Sequence, residues 1–429
     1  MLNILEEANR CIQCKKPRCR QACPINNPIP QFIQLLKDGK IKEAGDLVFI
    51  NNPLSIVCSL VCPHGEYCQG HCIKGIKSTP VQIGQIEHYI AQYCLDNLDL
   101  FITNEYSGNV GVIGGGAAGI ALAFFLQRVG YQVTIYESQA KIGGIMRYGI
   151  PEFRLPNKII DRLENKLHEM GVIIHPHTTV GPTTTVDDML RDGFDAVFMS
   201  TGVWKPKKLS INGDSLGHVH YAVNFLKSPE VFDLGDNVVV IGAGNVAMDC
   251  ARSAVRRSVR EVIVMYRKGE KDMPCREDEY GAAKMDGVHF SFYSSPTRIT
   301  REGIYYLDTS EDGTDEELFM PADTVIVAIS QESQKNIVAT SPEIELDDYG
   351  RVIVDDNMMT TKQSVFASGD VVTGAKTVNM AVTQAKQAAN SIHNYIQGKR
   401  NSDWQEELLY SYDIVQTREE DMARFTRER

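Results

Sequence analysis

The chain has 429 residues, of which 43% are hydrophobic and 23% are charged, and its formal net charge is −11. This length and composition predict a globular enzyme of about three domains. They argue against nucleic acid as a partner, because phosphate binding needs a basic face, and the lack of an apolar run of roughly 18 residues or of a basic leader predicts a cytoplasmic protein without membrane contact.

Residues 1 to about 105 form a cysteine-rich segment that has helical stretches such as 29–47 and no nucleotide-binding signature. The cysteines fall in two runs, C-x2-C-x4-C-x3-C-P and C-x3-C-P-x4-C-x3-C, and are Cys11, Cys14, Cys19, Cys23, Cys58, Cys62, Cys68 and Cys72. Such spacings let one loop wrap an iron–sulfur cluster, and a cysteine followed by proline is typical of two-cluster ferredoxin-like sites. Structural zinc is the alternative for paired cysteines, but the two redox-nucleotide patterns that follow favour iron–sulfur.

Eight cysteines supply two complete sets of four thiolates, yet a carboxylate is a further possible ligand. Glu87 stands at the start of an apolar-periodic helix just beyond the last of these cysteines. From its position alone, a capping or solvent role is the ordinary expectation for this residue.

A strand, glycine turn and helix pattern starts at residue 109. The segment VGVIGGGAAGIALAFFLQRVGYQVTIYES carries Gly114-x-Gly116-x-x-Gly119, and Glu137 ends its second strand. Glycines at these positions let the backbone approach a pyrophosphate at the helix N-terminus, and the carboxylate binds ribose hydroxyls. The segment therefore predicts a dinucleotide site.

Two distant features favour FAD over NAD at this first site. Gly143-Gly144 follows the acidic residue closely, and Gly369-Asp370 follows a short strand near the C-terminus, where an aspartate can hold the ribityl or phosphate side of a flavin. Ordinary turns are the alternative, since Gly-Asp pairs are common in loops. The strand and the long helix that follows it, residues 366–396, are expected to complete the first fold.

The same pattern recurs from residue 237. Its turn begins at Gly242, and Ala247 takes the third glycine position, where a small residue allows close helix packing. After the second strand, where an NAD site would offer an acid, the chain has Arg267 and Lys268, and two cations there suit the 2′-phosphate of NADPH. A solvated basic pair is the alternative.

These patterns predict an α/β protein with two Rossmann-like dinucleotide-binding domains, preceded by an α-helical double [4Fe-4S] domain. The NADPH domain is expected to be inserted in a discontinuous FAD domain. The predicted bounds are 1–105 for the iron–sulfur domain, 106–233 and 332–398 for the FAD domain, 234–331 for the NADPH domain and 399–429 for a C-terminal tail of no assigned function.

Seven motifs follow one another between about residues 6 and 396: CIQCKKPRCRQACP, NNPLSIVCSLVCPHGEYCQGHC, VGVIGGGAAG, YGIPEFRLP, VIGAGNVAMDCAR, YRKGEKDMP and VFASGDVVTGAKTV. In this order they resemble the small (beta) subunit of NADPH-dependent glutamate synthase and its relatives. The relatives include the NADPH-side half of dihydropyrimidine dehydrogenase and the large subunit of the electron-bifurcating NADH-dependent ferredoxin:NADP oxidoreductase.

The resemblance implies ligands and contacts by position. One cluster is implied at Cys11, Cys14, Cys19 and Cys72, and the other at Cys23, Cys62, Cys68 and Glu87, which leaves Cys58 free. The implied FAD contacts are Gly114, Gly116, Ala117, Ala118, Gly119, Glu137, Gly144, Ile145, Arg154, Val180, Gly202, Gly369 and Asp370. The implied NADPH contacts are Ala243, Gly244, Asn245, Val246, Arg267, Lys268, Ala328 and Ser330, and the last is a departure, because relatives usually have glycine there.

The implied activity is that of an NADPH-dependent FAD oxidoreductase whose electrons pass through two [4Fe-4S] clusters to a partner subunit. Hydride transfer demands no side-chain acid or base, so no catalytic residue is expected. A disulfide reductase would need a Cys-x-x-Cys facing the flavin, but beyond the N-terminal segment only the isolated Cys94, Cys250 and Cys275 remain. The cations Arg267 and Lys268 disfavour a second alternative, a non-catalytic electron-relay or assembly subunit whose FAD only stores charge.

The partner subunit follows from the family's contexts. Three redox units already fill the 429 residues, so the substrate chemistry is expected on another chain. Glutamate synthase is the first expectation, and a dihydropyrimidine dehydrogenase or a bifurcating ferredoxin:NADP oxidoreductase is the alternative.

Overall fold

The computed structural model describes residues 3–97, 106–314 and 316–400. The predicted C-terminal tail beyond residue 400 therefore lies outside the described residues. The described residues form two compact units. The first consists of the described residues up to Gly144, of Leu155–Val203 and of the described residues from Ser333 onward, and the second consists of Ile145–Arg154 and the described residues of Trp204–Glu332.

The first unit begins with a helical segment. Its helices are α1 (Ile4–Asn9), α2 (Arg18–Gln21), α3 (Ile29–Lys37), α4 (Ile41–Asn51), α5 (Ser55–Val61) and α6 (Ile83–Asn97), with a 3-10 turn at Ile73–Ile76. Apolar residues at helical spacing from Ile29 to Leu36 bury one face of α3 against α6. The helical stretch predicted over 29–47 is thus two helices, because Gly39, with φ of +74°, takes the left-handed conformation that commonly ends a helix.

The chain then alternates strands and helices. In order they are β1 (Asn109–Ile113), α7 (Ala117–Gln127), β2 (Gln132–Tyr136), α8 (Ile145–Tyr148), α9 (Asn157–Glu169), β3 (Ile173–His175), α10 (Val186–Arg191) and β4 (Ala196–Met199). The middle of the chain continues with β5 (Lys205–Pro206), β6 (Val219–Tyr221), α11 (Ala222–Lys227), β7 (Asn237–Ile241), α12 (Asn245–Arg256), β8 (Glu261–Met265), α13 (Glu277–Met285), β9 (His289–Ser291), β10 (Ser294–Ile299), β11 (Gly303–Asp308), β12 (Leu318–Pro321), β13 (Thr324–Val327) and β14 (Gln331–Glu332), with 3-10 turns at Pro229–Val231 and Glu270–Asp272. The last elements are α14 (Asn336–Thr340), β15 (Val365–Ala367), α15 (Asp370–Thr373) and α16 (Val378–Arg400).

The sheet of the first unit is parallel throughout and has the order β15-β4-β1-β2-β3. Helix α7 is buried along its whole length, because α16 packs on it as well as the sheet. A parallel sheet needs such cover, since both of its faces are apolar. Strand β15, from far along the sequence, completes one edge.

The second unit has its own parallel sheet, with the order β6-β13-β7-β8-β9. An antiparallel sheet of β10, β11 and β12 and a short pairing of β14 with β5 accompany it. Two five-stranded parallel sheets confirm the predicted α/β class. The second unit contains residues 145–154 and then the chain from Trp204 onward. The sequence pattern placed the start of this domain later, at residue 234. The structure starts it earlier because strand β6, which precedes the glycine turn in the chain, pairs with β13 of the same sheet.

Across the part of the chain that the structure describes, no single helix has both the length and the apolar character of a membrane span. The pair α4 and α5, bent by 86° at its break, meets the criterion only when the two helices are taken together.

Candidate functional site

Four predicted cluster ligands line one cavity in the helical segment. They are Cys11, Cys14, Cys19 and Cys72, and the apolar side chains of α3 and α6 form part of the same wall. The pKa of Cys19 is raised to about 12, mainly by burial and in smaller part by repulsion from the other three thiolates. Thiols that influence one another in this way lie close together, and these four are the set that the resemblance assigns to the first cluster.

The second group contains five candidate ligands rather than four. Cys62, at the C-terminal end of α5, has its pKa raised by burial and then by the nearby charges of Cys58, Cys68, Glu87 and Cys23. The pKa of the buried Cys58 is likewise raised, first by burial and then by Glu87. The structure therefore places Cys58 beside the four implied ligands.

Glu87 lies inside α6 and is only 5% exposed. Burial raises its pKa to about 8, and a hydrogen bond from Asn27 Nδ2 to Glu87 Oε1, 3.0 Å long, opposes that rise. The ordinary expectation of a capping or solvent role is therefore wrong. A buried carboxylate beside thiols is suited to binding a cation, which would remove the cost of its ionisation.

The donor set fits iron–sulfur clusters. Zinc holds its thiolates at about 2.3 Å and draws them to one point, whereas a [4Fe-4S] cube occupies the space between its four cysteines. Here the first four thiols border a cavity rather than one point. Cys11, Cys14, Cys19 and Cys72 would hold one cluster in this cavity.

The first glycine turn joins β1 to α7 as the sequence predicts. Gly114 has φ of +100°, and Gly116 is the N-cap of α7. A Cβ atom on Gly119 would lie 2.2 Å from the carbonyl oxygen of Gly114, so only glycine allows the helix to start this close to the strand. Glu137 is buried and accepts hydrogen bonds from the backbone N–H of Gly115, at 2.9 Å, and of Gln139, at 2.8 Å.

Gly144 and Gly369, the glycines predicted to complete the FAD site, lie against the first glycine turn and the start of α7. A Cβ atom on Gly144 would lie 2.8 Å from Cα of Gly116, and one on Gly369 would lie 3.2 Å from Cβ of Ala118. Asp370 follows in the first turn of α15, and burial raises its pKa to about 6. The structure therefore brings together the two ends of the predicted FAD site.

The other implied FAD residues lie in several places. Val180 is buried in a core cluster with Ile113 at the end of β1, and Gly202 follows Ser200, whose hydroxyl donates to the carbonyl oxygen of Gly114 at 2.8 Å. Ile145, in α8, belongs to the second unit.

Arg154 lies in a buried ion-pair network of the second unit. Its guanidinium is 2.6 Å from Asp249 and 2.5 Å from Glu279, and Arg252 reaches Glu279 at 3.2 Å. Burial raises the pKa of Asp249 to about 6, and Arg154 opposes that rise. The sequence analysis did not predict this network, because its members are far apart in the chain. The one available signal was Asp249, an acidic residue on the otherwise apolar face of α12.

The second glycine turn joins β7 to α12. Gly242 has φ of +122°, and a Cβ atom there would lie 2.3 Å from the carbonyl oxygen of Ala328 at the end of β13. Gly244 is the N-cap of α12, and the Asn245 side chain accepts from the backbone N–H of Arg276 at 2.9 Å. Ala243 and Val246 complete this turn.

Arg267 and Lys268 follow β8 at the carboxyl edge of the same sheet, where ligands bind in such folds. Both side chains are exposed, and within the described ranges neither forms an ion pair with a carboxylate. Their backbone carbonyls accept hydrogen bonds from Thr309 and Tyr293, which fixes the strand end. Ser330, beyond β13, is exposed as well.

Two family models match the chain. Residues 108–385 match "Pyridine nucleotide-disulphide oxidoreductase", and residues 2–98 match a 4Fe-4S domain described as dihydropyrimidine dehydrogenase domain II. The match to the second model agrees with the position of the cysteine-rich helical segment.

Individual proteins are similar over most of the chain. The glutamate synthase [NADPH] small chain of Azospirillum brasilense is 32% identical, over 92% of this chain and 89% of that protein. An NAD-dependent dihydropyrimidine dehydrogenase subunit of Escherichia coli is 31% identical, over 92% and 95%. The crystal structure of T. acidophilum thioredoxin reductase shares the fold with a TM-score of 0.56 and 21% identity, over 68% of this chain and 99% of that one.

The two glycine turns, the basic pair and the two thiol groups agree with these matches. The chain belongs to the pyridine nucleotide-disulphide oxidoreductase family, as an FAD-dependent NAD(P)H oxidoreductase that carries 4Fe-4S clusters and transfers electrons.

Proposed function

We propose that the chain is the electron-input subunit of a larger enzyme, most closely of the glutamate synthase type. The residues around Gly114 and Glu137 would hold FAD, which when bound would supply the exchange between hydride transfer from NADPH and single-electron transfer to the clusters. The observation that carries the proposal is the presence, in one chain, of two dinucleotide turns and two groups of half-buried or buried candidate ligands. Similarity to small and dehydrogenase subunits supports a catalytic partner chain.

The domains follow from this assignment. The segment up to residue 105 binds the clusters, the segments 106–233 and 332–398 carry the FAD contacts, and 234–331 carry the NADPH contacts, while 145–154 and 204–233 pack with the second unit. Glu137 and Asp370 hold the ribose and the phosphate or ribityl side of FAD, while Ala328 and Ser330 border the nicotinamide. Cys11, Cys14, Cys19 and Cys72 hold one cluster; Cys23, Cys62, Cys68 and Glu87 hold the other.

Nucleotide choice tests the proposal. Arg267 and Lys268 have no carboxylate partner in the described structure and are free to pair with a 2′-phosphate. A charge-assisted contact is worth about 1.5–3 kcal/mol. Arg267→Glu with Lys268→Ala should therefore raise KM for NADPH by about tenfold or more, and KM for NADH far less, in an assay with an artificial acceptor.

The matched control is Arg260→Ala, at the opposite end of β8, where the guanidinium bonds to Asn237. It should leave both KM values unchanged. An equal loss with both nucleotides in the double variant, or a native preference for NADH, would contradict the NADPH assignment.

The partner docks, we propose, over the first cluster. The ligand stretches 11–20 and 72–77 carry no carboxylate and six cations, of which all but the buried Arg20 are accessible, although the chain as a whole is acidic. Ile12 and Ile76 are 57% and 68% exposed there, and Ile12 lines the same cavity as the four thiols. An exposed apolar centre with a basic rim fits a partner surface of acidic rim and apolar centre.

Co-purification of the native complex identifies the partner. A glutamate synthase large subunit supports the first expectation, and a pyrimidine-reducing or ferredoxin-linked partner supports the alternative. Lys15→Glu with Lys16→Glu should abolish co-purification, while Lys40→Glu with Lys42→Glu, on the same segment but outside the two ligand stretches, should not. Equal effects of the two pairs would contradict the docking surface.

A further inference from the structure

A buried amide side chain of helix α16 contacts a candidate cluster ligand. Asn379 is 2% exposed, and its Nδ2 lies 3.3 Å from Cys62 Sγ. The hydroxyl of Thr377 donates to Oδ1 of the same carboxamide. Because a thiolate sulfur accepts hydrogen bonds and cannot donate them, the NH2 group is the end of the amide that faces Cys62.

A second polar connection runs from α16 to Glu87. Lys386 Nζ donates to Asn51 Oδ1 at 2.8 Å, Asn51 Nδ2 donates to Asn27 Oδ1 at 2.8 Å, and Asn27 Nδ2 donates to Glu87 Oε1 at 3.0 Å. Both asparagines are buried. All three bonds point the same way, so the dipoles of the two amides carry the field of the ammonium group towards the carboxylate.

The same helix also contacts the predicted flavin site. Gln384 Oε1 accepts the backbone N–H of Gly369 at 3.0 Å. Asn379, Gln384 and Lys386 thus connect α16 to one predicted FAD residue and to two candidate ligands of the second cluster. This helix is the element shared by the flavin site and that cluster.

We propose that Asn379 and the Lys386–Asn51–Asn27 relay are positioning residues that raise the reduction potential of the cluster held by Cys62 and Glu87. This inference rests on the proposed function. Accepting one electron from reduced flavin adds a negative charge to the cluster. An N–H donor at the ligand sulfur and a cation directed at the ligand carboxylate stabilise that charge. Together they favour electron transfer from flavin to this cluster.

The test is a redox titration of the full-length protein, followed by low-temperature paramagnetic resonance of each cluster. Asn379→Ala removes the donor to sulfur, and Lys386→Met removes the charge while Lys386→Arg keeps it. At a fixed solution potential, we expect the reduced-to-oxidised ratio of the second cluster to fall about fivefold to tenfold in the first two variants, tenfold being about 59 mV for one electron. Lys386→Arg should match the parent protein.

Two internal controls make the measurement specific. The first cluster should keep its potential in every variant, and Gln387→Ala, which removes a hydrogen bond to Asp356 from the same helix, should change neither cluster. Unchanged potentials in both Asn379→Ala and Lys386→Met, or equal shifts in both clusters, would overturn the inference. If Asn379→Ala loses iron, the comparison of Lys386→Met with Lys386→Arg decides. A parent protein without two clusters would refute the proposed function instead.

Discussion

The most direct test of the cluster assignment replaces Glu87 and Cys58 separately. Glu87→Ala removes a carboxylate that is 5% exposed and leaves the Asn27 amide without its acceptor, which costs about 1–3 kcal/mol. If the carboxylate is also a ligand, iron should fall from about eight towards about four atoms per chain. Cys58→Ala removes one buried sulfur at a cost of about 1–2 kcal/mol and should leave iron near eight.

Iron analysis and paramagnetic resonance of the two variants measure the outcome. Glu87→Gln is the shape-matched control, since it keeps an oxygen for Asn27 but loses the charge, and it should perturb the resonance of one cluster only. Oxidation of NADPH with an artificial acceptor should persist in all three variants, because hydride transfer to flavin does not involve this cluster. Loss of a cluster in Cys58→Ala with none in Glu87→Ala would restore two sets of four thiolates.

Three further predictions concern the folds around the sites. A chain truncated after Gly350 lacks β15 and should purify without flavin; a yellow protein with full flavin content would contradict the discontinuous FAD domain. Burial lowers the pKa of His393 to about 4, so stability that is fully present above pH 6.5 is lost as pH falls towards 4. The raised pKa values of Glu87, Asp249 and Asp370 change stability in the opposite direction, so the test is a comparison: between pH 7 and 5 the parent should lose about 2 kcal/mol more than His393→Phe in denaturant unfolding. Arg154→Met leaves Asp249 and Glu279 underpaired and should lower stability by about 3–5 kcal/mol, whereas flavin loss at unchanged thermal stability would favour a direct FAD contact.

The sequence predicted the parts of the molecule that depend on local backbone geometry. The glycine turns at Gly114 and Gly242 lie where the motifs put them, because a positive φ and a close helix start leave no other residue possible. Glu137 also points at its turn, since strand and turn together fix its direction. The family, the α/β fold and the cofactor classes followed from these patterns and are confirmed.

The features that sequence reasoning missed depend on contacts between distant residues. Asn27, Asn51 and Asn379 stand in stretches where asparagine ordinarily caps helices or forms turns. Only the packing of α16 shows that Asn51 and Asn27 connect Lys386 with Glu87, and that Asn379 donates to Cys62. Local patterns therefore indicated which cofactors the chain binds, but not how their ligands are hydrogen-bonded.

The late position of β15 has a consequence for biosynthesis. All eight implied cluster ligands precede residue 88, while the strand that completes the flavin sheet starts at Val365. At about 5–20 residues per second, translation of the intervening chain takes on the order of tens of seconds. During that time the thiols are outside the ribosome but α16, with Asn379 and Lys386, is not yet made. A nascent chain can therefore receive iron before it can bind flavin, and the polar contacts from α16 are added last.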